Sequence, residues 1–174
     1  MKLIAIDKQV YRQHLSRVIS IFIASLAILS LLFGQLLIHF FGNTEIVSGE
    51  STGNLPLNFL GVLLGFTISA LTVYRLRHRD YFKEIYYVSR LKVLHNRIYR
   101  KLTSIKSAAE QDNINALIIL NFYYTSLKLV YQLDDNTLTL SHVESELAAI
   151  QQKLTALGLT VNEQDFSQEL LASF

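Results

Sequence analysis

The sequence predicts an all-α protein: a two-span transmembrane helical hairpin whose second span continues into a cytoplasmic helical bundle. Three observations predict it. Val18–Phe41 and Leu55–Tyr74 are apolar stretches without a single Asp, Glu, Lys or Arg. Lys and Arg crowd the outer flanks of these stretches and are missing between them. Downstream, apolar residues recur at spacings of three and four, the period of a helix with one buried face. Composition agrees. Of 174 residues 51% are apolar and only 17% charged, against about 25% in a soluble domain, and mean hydropathy is +0.29. With no Cys, the chain has no disulfide framework, thiolate metal site or cysteine nucleophile. One Pro, seven Gly and a net charge of +2 do not suit a disordered or fibrous chain.

Residues 1–17, carrying a net +3, read as a cytoplasmic amphipathic N-terminal segment. The first span, 18–41, is roughly 36 Å long as a helix, longer than the roughly 30 Å hydrocarbon core of a bilayer. It is too long for the apolar core of a signal peptide, and no A-x-A site follows it. The segment 42–54, GNTEIVSGESTGN, is polar and turn-rich, with Glu45 and Glu50 as its only charges. The second span, 55–74, opens with Asn54 as a cap and Pro56 in the first turn. Four Lys/Arg precede the first span and ten follow the second within residues 75–106. The positive-inside rule therefore makes 42–54 a periplasmic loop and places both termini in the cytoplasm.

Within the spans, Gly61, Gly65 and Ser69 share one helix face, and Ser30 and Gly34 form a similar patch. Small residues four apart allow close backbone approach. Two readings stay open: packing between the two spans, or the seam of a homodimer. Gln35, Asn58, Thr67 and Thr72 are polar but uncharged, so the usual mark of an ion or proton path is missing. His39 reads as interfacial. Arg75, Arg77, Arg79 and Lys83 fall at the inner boundary, where long basic side chains reach anionic lipid phosphates.

The cytoplasmic helical domain covers 75–174. With no Gly or Pro between Arg75 and Ala109, the second span is expected to run on as one helix, straight or slightly kinked. Tyr87, Leu91, Leu94, Ile98, Leu102, Ile105 and Ala109 fall within an arc of about 80°, leaving a basic back. Asp112 is expected to cap a helix ending at Leu133 that is apolar all round, hence central and buried. A third span at 113–133 is the rival reading, and mid-span Lys128 counts against it. Asp134-Asp135-Asn136 reads as a turn, since it lacks the alternating spacing of a Ca²⁺ loop. Ser141 and Glu144 suggest a capping box, Gly158 a helix end, and Asp165 the cap of a last helix over 166–173. The net +8 of residues 75–106 and the net −7 of 107–174 are expected to meet inside one folded unit.

Catalytic patterns are missing. His78-Arg79-Asp80 resembles a kinase triplet, but Ile85 stands where Asn is needed. The five His show no zinc spacing, and there is no phosphate-binding glycine loop or nucleophile elbow. The expectations are thus no enzyme, no cofactor and no metal. Basic and aromatic residues just inside a membrane follow from the positive-inside rule and the aromatic belt, so nucleic acid is not an expected partner. The expected partners are membrane lipids, a second copy of the chain, and an unidentified protein.

The strings IDKQVYRQHL, VYRLRHRDY, NRIYRKL, ALIILNFYY and QLDDNT together resemble the family called domain of unknown function 3087, proteobacterial membrane proteins of about this size. The resemblance covers nearly the whole chain. It implies two spans in the bacterial inner membrane and a helical cytoplasmic part, and brings no activity and no functional residue. The leading expectation is a non-enzymatic, membrane-anchored helical interaction or scaffold module. A small oligomeric transporter or channel subunit is the alternative, and a membrane-surface enzyme the third reading.

Overall fold

A computed structural model describes residues 2–43 and 52–174; residues 44–51 of the expected loop lie outside the described residues. The described residues are all-α. Helix α1 is Lys8–Phe41, α2 Leu55–Leu76, α3 Lys83–Tyr99, α4 Leu102–Glu110, α5 Ile114–Leu133 and α6 Leu140–Ala156. Short 3-10 turns cover Asp80–Phe82, Glu163–Asp165 and Gln168–Ser173. The chain divides into two compact units, residues 13–83 and residues 1–12 with 84–174.

The unit 13–83 is a helical hairpin. Helices α1 and α2 are long and apolar enough to cross a membrane, and most of their large apolar side chains face outward, among them Ile21, Leu31, Phe59 and Leu71. A soluble hairpin exposing so much apolar surface would aggregate. Asn54 does not cap its own helix through its side chain. Its amide instead clasps the end of α1: Oδ1 accepts from the Asn43 N–H at 3.1 Å and Nδ2 donates to the Asn43 carbonyl at 2.8 Å. One residue thereby holds both ends of the connection together.

The expected continuation of α2 into the bundle does not occur. The helix ends at Leu76, Arg79 is extended, and Asp80–Phe82 form a separate 3-10 turn. Neither Gly nor Pro is needed, because the turn satisfies its own backbone: Arg79 N–H donates to the Leu76 carbonyl and Phe82 N–H to the Arg79 carbonyl, both at 2.9 Å. The break lets Tyr81 stack on His14 with ring centroids 3.9 Å apart. A second interruption at Arg100–Lys101 separates α3 from α4, and there Lys101 Nζ donates to the Leu171 carbonyl at 2.7 Å.

The other unit is a bundle around α5. Eleven α5 residues are buried, including Leu117, Leu120, Phe122 and Val130. This is a core helix, packed by α4, α6 and the C-terminal turns, and not a third span. From α3 and α4 come Val88, Leu91, Leu94, Ile98, Ile105 and Ala109; from α6, Val143, Leu147 and Leu154. Of the expected seam, Tyr87 and Leu102 are only half-buried. Residues 2–12 belong to this bundle. Tyr11 is 2% exposed, and Tyr87 Oη donates to the Lys2 carbonyl at 2.9 Å.

Three helices end alike, and this moves the expected caps. Asn113, Asn136 and Leu159 donate N–H bonds five residues back, to the carbonyls of Ala108, Tyr131 and Leu154. Asp112, Asp135 and Gly158 take the left-handed conformation just before them. Asp112 is therefore a terminator of α4. Asn113 caps α5, its Oδ1 accepting from the Ala116 N–H at 3.1 Å. The Ser141–Glu144 box is also absent: Ser141 already lies inside α6, and Glu144 pairs with Lys128 at 2.9 Å. In place of a helix over 166–173, Asn162 and Asp165 form a reciprocal box around a 3-10 turn. Phe166 is extended and stacks on Phe122 at 4.0 Å, and a second 3-10 turn follows. Burying that ring takes priority over continuing a helix.

Candidate functional site

The hairpin carries the residues singled out by small size and by basic charge. Gly61, Gly65 and Ser69 are the buried residues of α2. A Cβ on Gly61 would lie 2.5 Å from the Gly34 nitrogen, and one on Gly65 2.8 Å from the Ser30 nitrogen. Real Cβ atoms do not approach backbone so closely, so these glycines let the two helices touch backbone to backbone. Ser25 Oγ donates to the Phe22 carbonyl at 3.0 Å and lies 3.0 Å from Ser69 Oγ, which completes the pair as donor. Ser30 Oγ is buried there without a hydrogen-bond partner among the described residues. The small residues thus lie between α1 and α2 of one chain.

Toward the other end of the hairpin the same helix faces part. A cavity of about 330 Å³ opens between Val18, Phe22, Ser25 and Leu29 of α1 and Ser69, Thr72 and Leu76 of α2, with Tyr81 and Phe82 at its end. The basic residues gather beside that end, on three elements. Arg75 is in the last turn of α2, Arg77 caps it, Arg79 is extended, and Lys83 opens α3. The Arg77 guanidinium sits 3.5 Å over the Tyr74 ring and its Nε donates to His78 Nε2 at 2.9 Å. Among the described residues no carboxylate pairs with Arg75, Arg79 or Lys83.

The bundle uses its charges differently. Glu146 Oε2 accepts from Lys106 Nζ and from Tyr124 Oη, each at 2.6 Å. Those two bonds hold its carboxyl below the ordinary range, while burial and the carboxylate push the Tyr124 phenol up. Asp134 pairs with Lys92 at 2.6 Å, and Asp135 with both Lys8 and Arg12. The Asp-Asp-Asn turn is therefore a clasp for α3 and the N-terminal segment. Burial, then the Asp134 carboxylate facing it, push the Tyr11 phenol up to about 12. Two pairs, Lys128–Glu144 and Lys153–Asp112, join residues within the acidic half. So the basic and acidic blocks meet only in part, and exposed Arg90 and Arg100 on the back of the bundle have no carboxylate among the described residues.

Periodicity did not reveal one buried pair. His95, 6% exposed, lies with Nε2 2.7 Å from Ser126 Oγ, and Ser126 donates on to the Tyr123 carbonyl at 3.1 Å. His95 Nε2–H is thus the donor, and Nδ1 is a buried acceptor with no partner among the described residues. Burial first, then Lys92, bring its pKa down to about 4, so the ring is neutral. Ser126 is wholly buried and has no path to a substrate. The only signal in the sequence is a His beside the apolar seam. A polar cleft of about 320 Å³ is lined by Asn121, Thr125, Gln151, Thr155, Thr160 and Asn162, with Leu154, Leu159 and Val161, and carries no titratable group.

A family described as Protein of unknown function (DUF3087) matches residues 1–171. No curated protein and no solved structure matches the chain.

Proposed function

The chain belongs to the DUF3087 family of proteins of unknown function, and on that premise we propose that it is a membrane-anchored helical interaction module of the bacterial inner membrane, without enzymatic activity. The hairpin is the anchor, and residues 75–174 with both termini lie in the cytoplasm. One observation carries the reading: one chain joins a hairpin with outward-facing apolar side chains to a bundle with its own closed core. The Lys and Arg residues flanking the hairpin support the orientation. Arg90 and Arg100, exposed on the back of the bundle, suit an acidic protein partner. The polar cleft lacks an acid, a base and a nucleophilic pair, which weighs against a membrane-surface enzyme. The channel alternative needs several hairpins to line a pore with Gln35, Asn58, Thr67 and Thr72. Against it, Thr67 and Thr72 each donate to their own helix, to the Leu63 and Ile68 carbonyls.

Cross-linking of the full chain in native membranes, followed by purification in mild detergent, tests the proposal. A discrete heterologous partner or a defined homodimer is the expected result. Recovery of monomer alone, with no cross-linked species, overturns it. Ion or solute flux through the reconstituted protein would favour the channel reading instead.

A further inference from the structure

We infer that the parted half of the hairpin is a binding site for a single anionic phospholipid, its acyl chain between α1 and α2 and its phosphate held by Arg75 and Arg79. The inference rests on the membrane-spanning reading above and goes beyond diffuse contact between basic residues and a lipid surface.

The cavity has the depth of one leaflet. From Val18 to Leu29 its α1 wall rises about 16 Å, half of the roughly 30 Å hydrocarbon core. Beyond that depth the Gly34–Gly61 and Ser30–Gly65 contacts close the space between the helices. An acyl chain entering from the basic end therefore meets a floor near mid-membrane.

Between the two helices the lining is apolar. The hydroxyls of α1 and α2 are already engaged there: Ser25 and Ser69 with each other, and Thr72 with the Ile68 carbonyl at 2.8 Å. The Tyr81 phenol lies at the basic end, so a polar ligand would find nothing to bond between the helices, and an empty space would forfeit the dispersion contacts of its walls. Charge decides which lipid enters. Arg17 precedes Val18, Arg75 precedes Leu76, and Arg79 lies two residues before Tyr81, so three arginines adjoin residues at the mouth along the chain. Among the described residues neither Arg75 nor Arg79 has a carboxylate partner, and a guanidinium binds phosphate with two parallel hydrogen bonds.

Native mass spectrometry of the full chain in mild detergent, with phosphatidylglycerol or phosphatidylcholine of identical acyl chains, tests the site. One phosphatidylglycerol should be retained about tenfold better than phosphatidylcholine, as expected for two arginines near a membrane phosphate. Thr72→Phe, which fills the cavity, should abolish retention of either lipid. Arg75→Gln with Arg79→Gln should weaken retention of both lipids, phosphatidylglycerol more, and so remove the preference. Leu31→Phe, away from the cavity, should change nothing. Equal retention of the two lipids by the wild-type chain overturns the inference, as does retention untouched by Thr72→Phe in protein of normal helicity. A dimer that Thr72→Phe dissociates would overturn it too, by assigning the cavity to a second copy. Should Thr72→Phe fail to fold, the arginine variants and the headgroup comparison still decide. Flotation with vesicles of either lipid separates the two levels: protein that floats without preference loses only the lipid site, and protein that does not float loses the anchor as well.

Discussion

At the residue scale, single atoms decide what each helix can approach. Gly61 is the tightest case, since an added Cβ would sit 2.5 Å from backbone and no side chain can yield. Gly61→Ala should lower the stability of the detergent-solubilised hairpin by about 1–3 kcal/mol, the usual cost of overpacking. Leu63→Ala, on the outer surface, should change it little; unfolding by denaturing detergent measures both. Equal effects of the two substitutions would remove the seam. His95 makes the second residue-scale prediction. It is neutral when folded, with a pKa of about 4, whereas the unfolded chain protonates near the ordinary 6.5. As pH falls below 6.5 the unfolded state takes up a proton that the folded state does not. Stability should therefore drop between pH 6.5 and 4, by on the order of 3 kcal/mol in full, and stay level above that window. Glu146, whose carboxyl is held low, adds a loss only below the ordinary carboxylate range. His95→Leu should flatten the profile from pH 6.5 to 4 and leave the acid limb. An unchanged slope in that variant would show that another group titrates there. Asp112, Asp135 and Gly158 show how far residue type predicts a turn: glycine announces the left-handed position, and two aspartates occupy it without announcing it.

At the scale of elements, the differences from the sequence reading share a cause. Periodicity locates a helix face but does not say where a helix stops when a tertiary contact rewards stopping. The break after Leu76 frees Tyr81 to stack on His14. The interruption at Arg100–Lys101 brings Lys101 to the Leu171 carbonyl, and the extended Phe166 reaches Phe122. Each partner is 44 to 70 residues away, beyond the reach of local patterns. The N-terminal segment is the clearest example. Its charges read as an amphipathic N-terminal segment; which residues it meets is set by the fold, where Tyr11 is buried and Lys8 and Arg12 reach Asp135. Tyr11→Ala should cost the bundle about 3 kcal/mol, as for other large buried side chains, and expose residues 2–12 to protease. Lys8→Ala should cost under about 1 kcal/mol, since that pair is exposed. Thermal unfolding and limited proteolysis read both. A Tyr11→Ala protein as stable and protease-resistant as the parent would show that the segment does not contribute to the fold.

At the scale of the whole molecule, the near-neutral net charge conceals two uses of charge. In the bundle, lysines close ion pairs with carboxylates; beside the hairpin, Arg75, Arg79 and Lys83 have no carboxylate partner among the described residues. The proposed orientation follows from that second group. A reporter fused after Phe174 should report the cytoplasm, and neutralising Arg75, Arg77, Arg79 and Lys83 together should send a measurable fraction of chains the other way. A periplasmic signal from the unaltered protein would refute the orientation. The all-α class, the two long apolar helices, the small-residue faces, the buried central helix and most of the bundle seam were legible in the residues. Each depends on local composition and a fixed helical period, which a chain carries before it folds. The cavity beside the arginines, the His95–Ser126 pair, the polar cleft, the clasp at Asp134–Asp135 and the ends of α2, α3 and α4 were not legible. These depend on which distant surfaces meet, and only tertiary packing sets that distance. The sequence by itself determined which segments are apolar, helical and basic; the tertiary structure decided where the helices touch, where they part, and hence where there is room for a ligand.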